Sequence, residues 1–167
     1  MLDIYFHHGQ RQDATVVFSE PRSLRAMAEI RRFPGVMATE PFRAVAVKLH
    51  HGPRSERASI AGLDSRTVLR RVLDTDLKPV SLPPTGLILS TKMAEMLDAR
   101  TGQQIRIEVL EGRRPLVEVV VTAIVEEYIA APAYMHRAAL NDLMGEGRLI
   151  SGVFLQVDNR YAAALYH

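Results

Sequence analysis

The stretch from Gln104 to Glu126 constrains this chain most. Ile105, Ile107 and Val109 alternate with polar residues, and Glu111-Gly112-Arg113-Arg114 supplies a turn. Leu116 to Glu126 then returns, most of it valine. A period of two with β-branched residues describes a half-buried strand rather than a helix, so the segment is a hairpin. A lone hairpin is marginal in water, so other strands and a packed face must complete it. A second hairpin offers itself earlier. Val36 to Leu49 contains the alternation Val45-Ala46-Val47-Lys48-Leu49, and Arg57 to Leu63 returns through Ile60. Between them His50-His51-Gly52-Pro53-Arg54-Ser55 reads as a polar loop punctuated by Gly-Pro.

Helical segments separate these hairpins. Asp13 onward, DATVVFSEP, reads as a short buried strand stopped by Pro21, which suits the first turn of a helix capped by Ser19 or Glu20. That helix puts Leu24, Met27, Ala28 and Ile30 on one stripe, with Arg25 and Glu29 outside, and ends at Phe33-Pro34-Gly35. Arg66 to Leu73 has the pattern of a short helix. Lys78 to Thr85, with Pro79, Pro83 and Pro84, is an extended linker. Gly86 to Ser90 is a brief strand running into a helix capped by Ser90 or Thr91, carrying Met93, Ala94, Met96 and Leu97, with Gly102 placed as its left-handed cap. Tyr128 to Met135 is uncharged and broken by Pro132. A helix from about His136 to Met144 turns Ala139, Leu140 and Leu143 inward and ends at Gly145. Ile150 to Asp158 is a strand with Val153, Leu155 and Val157 on one face, and Arg160 to His167 begins another helix.

Composition removes several classes of function. At 167 residues the chain is one domain, or two small lobes sharing a core. It has 21 Lys and Arg against 19 Asp and Glu, and a net charge of +2 gives no reason to expect nucleic acid. With no Cys, disulfides, thiolate metal sites and Cys nucleophiles are excluded, and an oxidising compartment is well tolerated. No run approaches the roughly 20 apolar residues of a membrane span. Met1 to Asp13 lacks the basic-then-apolar order of a signal peptide, so the chain is expected to be soluble as it stands.

No constellation points to catalysis. His7-His8 and His50-His51 are adjacent pairs, whose side chains diverge on a strand, and they read as solvated terminal or loop residues rather than metal ligands. Asp74 with Asp76, and Glu126 with Glu127, adjoin loops and read as solvated edges. Gly145-Glu146-Gly147 follows a helix, whereas phosphate loops precede one. Gly62-Leu63-Asp64-Ser65 lacks the second glycine of a nucleophile elbow. Met93, Met96, Met135 and Met144 suit either an adaptable groove or ordinary core, with core favoured. The arginines at 22, 25, 31, 32, 70, 71, 113 and 114 are spread over several elements and read as a solvated surface. No residue is therefore assigned a catalytic, cofactor-binding or metal-binding role, and no cofactor is expected.

Particular phrases, in order, resemble the extracytoplasmic domain of FtsX-like ABC-transporter permeases, the group that includes MacB and the lipoprotein-releasing permeases. They are Phe33-Pro34-Gly35-Val36, Glu40-Pro41-Phe42-Arg43, Ile60-Ala61-Gly62-Leu63, Pro84-Thr85-Gly86-Leu87-Ile88-Leu89-Ser90, Ala94 and Leu97, and Thr101-Gly102-Gln103-Gln104-Ile105. Gln103 departs mildly from the Gly-Asp common there. The likeness runs from about Asp13 to Asp158.

The resemblance implies an α+β fold: a porter-like α/β lobe built from both ends of the chain, about 12–76 and 134–167, with a smaller β-rich lobe inserted at about 78–130. It implies a non-catalytic domain between two transmembrane helices, on the periplasmic or extracytoplasmic side of the bacterial inner membrane. Such a domain couples ATP-driven motion to export, lipoprotein release or partner activation. Implied partners are an ABC ATPase subunit reached through the membrane, a periplasmic adaptor or carrier protein, and a second permease in a homo- or heterodimer. The helical pattern that stops at His167 agrees with a stretch excised from a longer chain, flanked by hydrophobic helices. Two other readings compete: a stand-alone binding or assembly domain of the same fold, and a hydrolase using Asp74, Asp76 and His136.

Overall fold

The computed structural model describes residues 2–5, 14–64, 82–125, 133–158 and 160. In chain order the elements are β1 (Leu2–Tyr5), β2 (Ala14–Ser23), α1 (Ala26–Arg31), β3 (Val36–His51), β4 (Arg54–Leu63) and β5 (Leu87–Ser90). They continue with α2 (Thr91–Leu97), β6 (Gln104–Val109), β7 (Leu116–Val125), β8 (Ala133–His136), α3 (Arg137–Met144) and β9 (Leu149–Val157). The fold is mixed α/β and rich in sheet. Among the described residues no helix is long and apolar enough to cross a membrane.

Both hairpins form as the alternation predicts. β3 pairs antiparallel with β4 from Arg43–Gly62 to His51–Arg54, and β6 pairs with β7 from Gln104–Val120 to Glu108–Leu116. The Gly52-Pro53 turn is tighter than the sequence suggested, so His50 and His51 belong to β3 and not to a loop.

Long-range pairing then closes a ring. β3 joins β4, β4 runs parallel to β8, β8 antiparallel to β5, β5 parallel to β7, β7 antiparallel to β6, and β6 returns to β3 through Val47–Val109 to His50–Arg106. A closed ring leaves no strand edge unpaired. Its inward residues include Val45, Val47, Leu49, Ile60, Leu87, Leu89, Ile105, Ile107 and Val109, with Met93 and Leu97 of α2 and Leu140 and Met144 of α3 packed against them. Met93, Met135 and Met144 are thus core, with Met96 packed partly buried beside them.

β3 is long enough to serve two sheets. Its first part, Val36 to Phe42, pairs with β9 in an open sheet ordered β1-β2-β9-β3. Pro41 is tolerated because the pairing of β3 with β4 begins only at Arg43, so among the described residues no strand on that edge calls for its missing N–H. α1 covers one face of this sheet, over Val16, Phe18, Ile150, Val153 and Leu155. The other face is buried too, a burial the one-sided pattern did not anticipate: Phe42 and Phe154 stack with centroids 4.5 Å apart. Gly152 lies between them and β2, where a Cβ would meet the Val16 carbonyl and come within 2.6 Å of the Phe42 ring.

Three local expectations are corrected. Pro21 does not stop β2, because the ladder to β9 is interrupted between Val17 and Arg22 and the missing N–H costs no bond there. α1 accordingly starts at Ala26, without a side-chain cap from Ser19 or Glu20, and Ala28 is exposed. α2 is capped by Ser90, whose hydroxyl accepts from the Met93 N–H, but it ends in the left-handed Asp98 rather than at Gly102. Gly102, at φ +91, instead donates its N–H to the Val121 carbonyl. The expected helices at 66–73 and beyond Arg160, and the stretch 128–132, lie outside the described residues.

Candidate functional site

Where β3 leaves the open sheet and enters the ring, Arg43 is buried, its side chain 3% exposed. It stands in phase with Val45, Val47 and Leu49, on the inward-facing register of the strand. Its Nε donates to Glu146 Oε1 at 2.7 Å and its Nη2 to Glu146 Oε2 at 3.2 Å, a bidentate pair. Nη2 also donates to Glu111 Oε1 at 3.2 Å, and Nη1 to the Ala44 carbonyl and to Ser151 Oγ. Burial alone lowers the pKa of the guanidinium, but the two carboxylates outweigh it and hold the value above its ordinary one.

The surrounding groups extend this cluster across elements. The Asn141 side-chain amide of α3 donates to Glu146 Oε1 at 2.8 Å and to the Leu149 carbonyl at 3.1 Å. The Ser151 hydroxyl of β9 accepts from the Ala44 N–H at 2.9 Å. One cation thus ties β3 to the β6–β7 turn, to the loop after α3 and to β9. A buried ion pair of this kind adds little net stability, yet losing one partner is costly, so its effect is to fix geometry.

A groove of about 350 Å³ opens between α3 and β7, floored by Val117, Val119, Met135, Ala139 and Leu143, with His136 and Asp142 at its rim. Leu116 and Val120, on the opposite face of β7, are among the exposed large apolar residues. A second cleft, about 600 Å³, runs beside α1 and is lined by Arg25, Arg31 and Arg148.

The residues singled out from sequence take structural roles. His50 Nε2 lies 2.8 Å from Glu108 Oε2 across the β3–β6 pairing, and this hydrogen bond holds the Glu108 carboxyl below its ordinary range. His51 Nδ1 donates to the Leu97 carbonyl at 2.9 Å, satisfying an end of α2. Both are half-buried, which corrects their reading as solvated loop residues. His136 caps α3, its Nδ1 accepting from the Ala138 N–H. Asp64 pairs with Arg137 at 3.0 Å. Among the described residues no three His, Cys, Asp or Glu side chains gather as a metal site would require. His7, His8, Asp74, Asp76, Glu126, Glu127, Arg70 and Arg71 lie outside the described residues. Arg43, Glu146 and Arg148 were not singled out for these roles. For Arg43 a signal existed, since its place two residues before Val45 puts it on the buried face; for Arg148 none did.

No family model matches the chain, and no curated protein matches it in sequence. Solved structures do. The extracellular domain of the noncanonic ABC-type transporter YknZ from Gram-positive bacteria is similar with a TM-score of 0.57 at 13% identity, over 98% of this chain and 87% of that one. The periplasmic region of MacB from Actinobacillus actinomycetemcomitans is similar with a TM-score of 0.55 at 10% identity, over 89% of this chain and 71% of that one. The chain therefore has the fold of the extracytoplasmic domains of ABC-type transporters.

Proposed function

We propose that this chain is the non-catalytic extracytoplasmic domain of an ABC transporter permease, acting on the periplasmic side of a bacterial inner membrane. The observation that carries the reading is the structural likeness to the YknZ extracellular domain across 98% of the chain. In this reading ATP binding in a cognate ATPase subunit moves transmembrane helices joined to the domain. The domain passes that motion to a substrate, or to an adaptor or carrier protein, in export or lipoprotein release. A second permease completes a homo- or heterodimer. Two conformations with different external contacts are required, because a ligand biases only states that it binds unequally.

The Arg43 cluster supports the mechanical part of this reading. A relay transmits displacement only if it does not deform, and the cluster clamps the open sheet to the ring at their shared strand. The division into a lobe of about 12–76 with 134–167 and an inserted lobe of about 78–130 belongs to the same proposal. In the strand order, β5 hydrogen-bonds to β8 and β6 to β3, so the strands between 78 and 130 complete the ring with those on either side. Reading the codons that flank this segment in its native gene tests the proposal. Hydrophobic helices on both sides are expected; polar flanks bounded by a start and a stop overturn it.

A further inference from the structure

We infer that the cleft beside α1 is a docking site for an acidic peptide segment of a partner protein. Among the described residues the cleft is lined by Arg25, Arg31 and Arg148 and by no carboxylate, with Arg22 and Arg32 on the adjoining end of β2 and the end of α1. None of these arginines is in an ion pair among the described residues, although Arg43, Arg106, Arg137 and Arg160 all are. Arg31 gives its Nε to Thr39 Oγ1 at 2.9 Å, which steadies the side chain and leaves its terminal nitrogens uncommitted. Arg22 rests over the Phe18 ring. Unneutralised guanidinium groups around a recess favour carboxylates, which their planar fork meets in bidentate fashion.

The shape selects a peptide over a compact anion. The recess holds about 600 Å³, and Leu24, Met27 and Ala28 give it an apolar lining between the arginines. Arg25 and Arg31 are six residues apart, about 9 Å along the axis at a helical rise of 1.5 Å per residue, and Arg148 approaches from the start of β9. Separated cations with apolar surface between them match carboxylates spaced along a chain with apolar side chains between. A single phosphate is too small to use the site, and a recess is poorly met by a flat lipid surface. Arg148 is more than a hundred residues from α1 in sequence, so no local pattern joins it to Arg25 and Arg31; the Leu24 N–H bond to the Arg148 carbonyl, 3.0 Å, brings them together.

The test is fluorescence anisotropy with a labelled peptide of alternating Glu and Leu, against the same peptide with Gln for Glu. Inorganic phosphate and phosphatidylglycerol vesicles serve as competitors. The Glu peptide is expected to bind, the Gln peptide not, and R25Q/R31Q/R148Q to weaken binding about tenfold. All three positions are exposed, and circular dichroism verifies folding. R57Q/R100Q/R113Q removes the same charge from exposed sites elsewhere and is expected to leave affinity within about twofold. Equal losses in the two triple variants, no loss in the first, or displacement by phosphate or vesicles at lower concentration than by unlabelled Glu peptide would overturn the inference.

Discussion

The ring and the open sheet share one strand but solve the burial problem differently. In the ring, strands far apart in sequence close on each other, so that Val45, Val47, Leu49, Ile105 and Ile107 are fully buried. In the open sheet β1 is the outer strand, and one short helix, α1, covers the outer face, with Met27 9% exposed. The first arrangement is cooperative, because removing one strand breaks the circuit. The second is layered and leaves its margin accessible, which is where the unpaired arginines lie. A closed part and a layered part are thus joined through the Arg43 cluster.

That contrast can be broken by substitution. Leu49→Ala, at the centre of the ring, is expected to cost about 4 kcal/mol by chemical denaturation, whereas Met27→Ala, on the buried side of α1, costs about 2 kcal/mol. Equal costs would mean the ring is no better packed than the sheet. Next comes the joint between them. Glu146→Ala strips Arg43 of its bidentate partner and is expected to cost about 3 kcal/mol, while the double variant Arg43→Met with Glu146→Met, which removes both charges of the pair, costs about 1 kcal/mol. The reverse order, read from the same denaturation curves, would refute the clamp as described.

Smaller effects sharpen the comparison. Ser90→Ala removes the cap of α2, the helix that closes on the ring, and is expected to cost about 1 kcal/mol. The smallest concerns the β3–β6 closure. The folded-state pKa of Glu108 is depressed by the hydrogen bond with His50. Its contribution is therefore present above the ordinary carboxylate value and is lost as the pH falls through the folded one. Glu108→Gln should narrow the difference in stability between neutral and strongly acid solution, and an unchanged pH profile would show the bond to be idle.

Much of this architecture is legible in the amino-acid order, for reasons of range. The β3–β4 and β6–β7 hairpins are local, and alternation plus glycine turns specify them. Ser90 and Gly145 mark helix ends through chemistry confined to a few residues. Ring closure between β3 and β6 is a pairing across more than fifty residues, and no local pattern encodes which strand an edge will find. Pro21 misled because its effect depends on whether a neighbouring strand needs its N–H, and the interrupted ladder beside it does not. Arg43 was hidden by its charge: an arginine in phase with three buried apolar residues is a buried arginine, and its partners, Glu111 and Glu146, come from two distant turns.

The central claim is that this chain is the outward part of an ATP-driven transporter. Its most direct test is to tag the full-length native protein, extract it from membranes under mild detergent and identify what accompanies it. The account predicts recovery from the membrane fraction with an ABC ATPase, fused or as a co-purifying subunit in near-equal amount. Recovery of the untruncated gene product from the soluble fraction, with no ATPase attached, would contradict it.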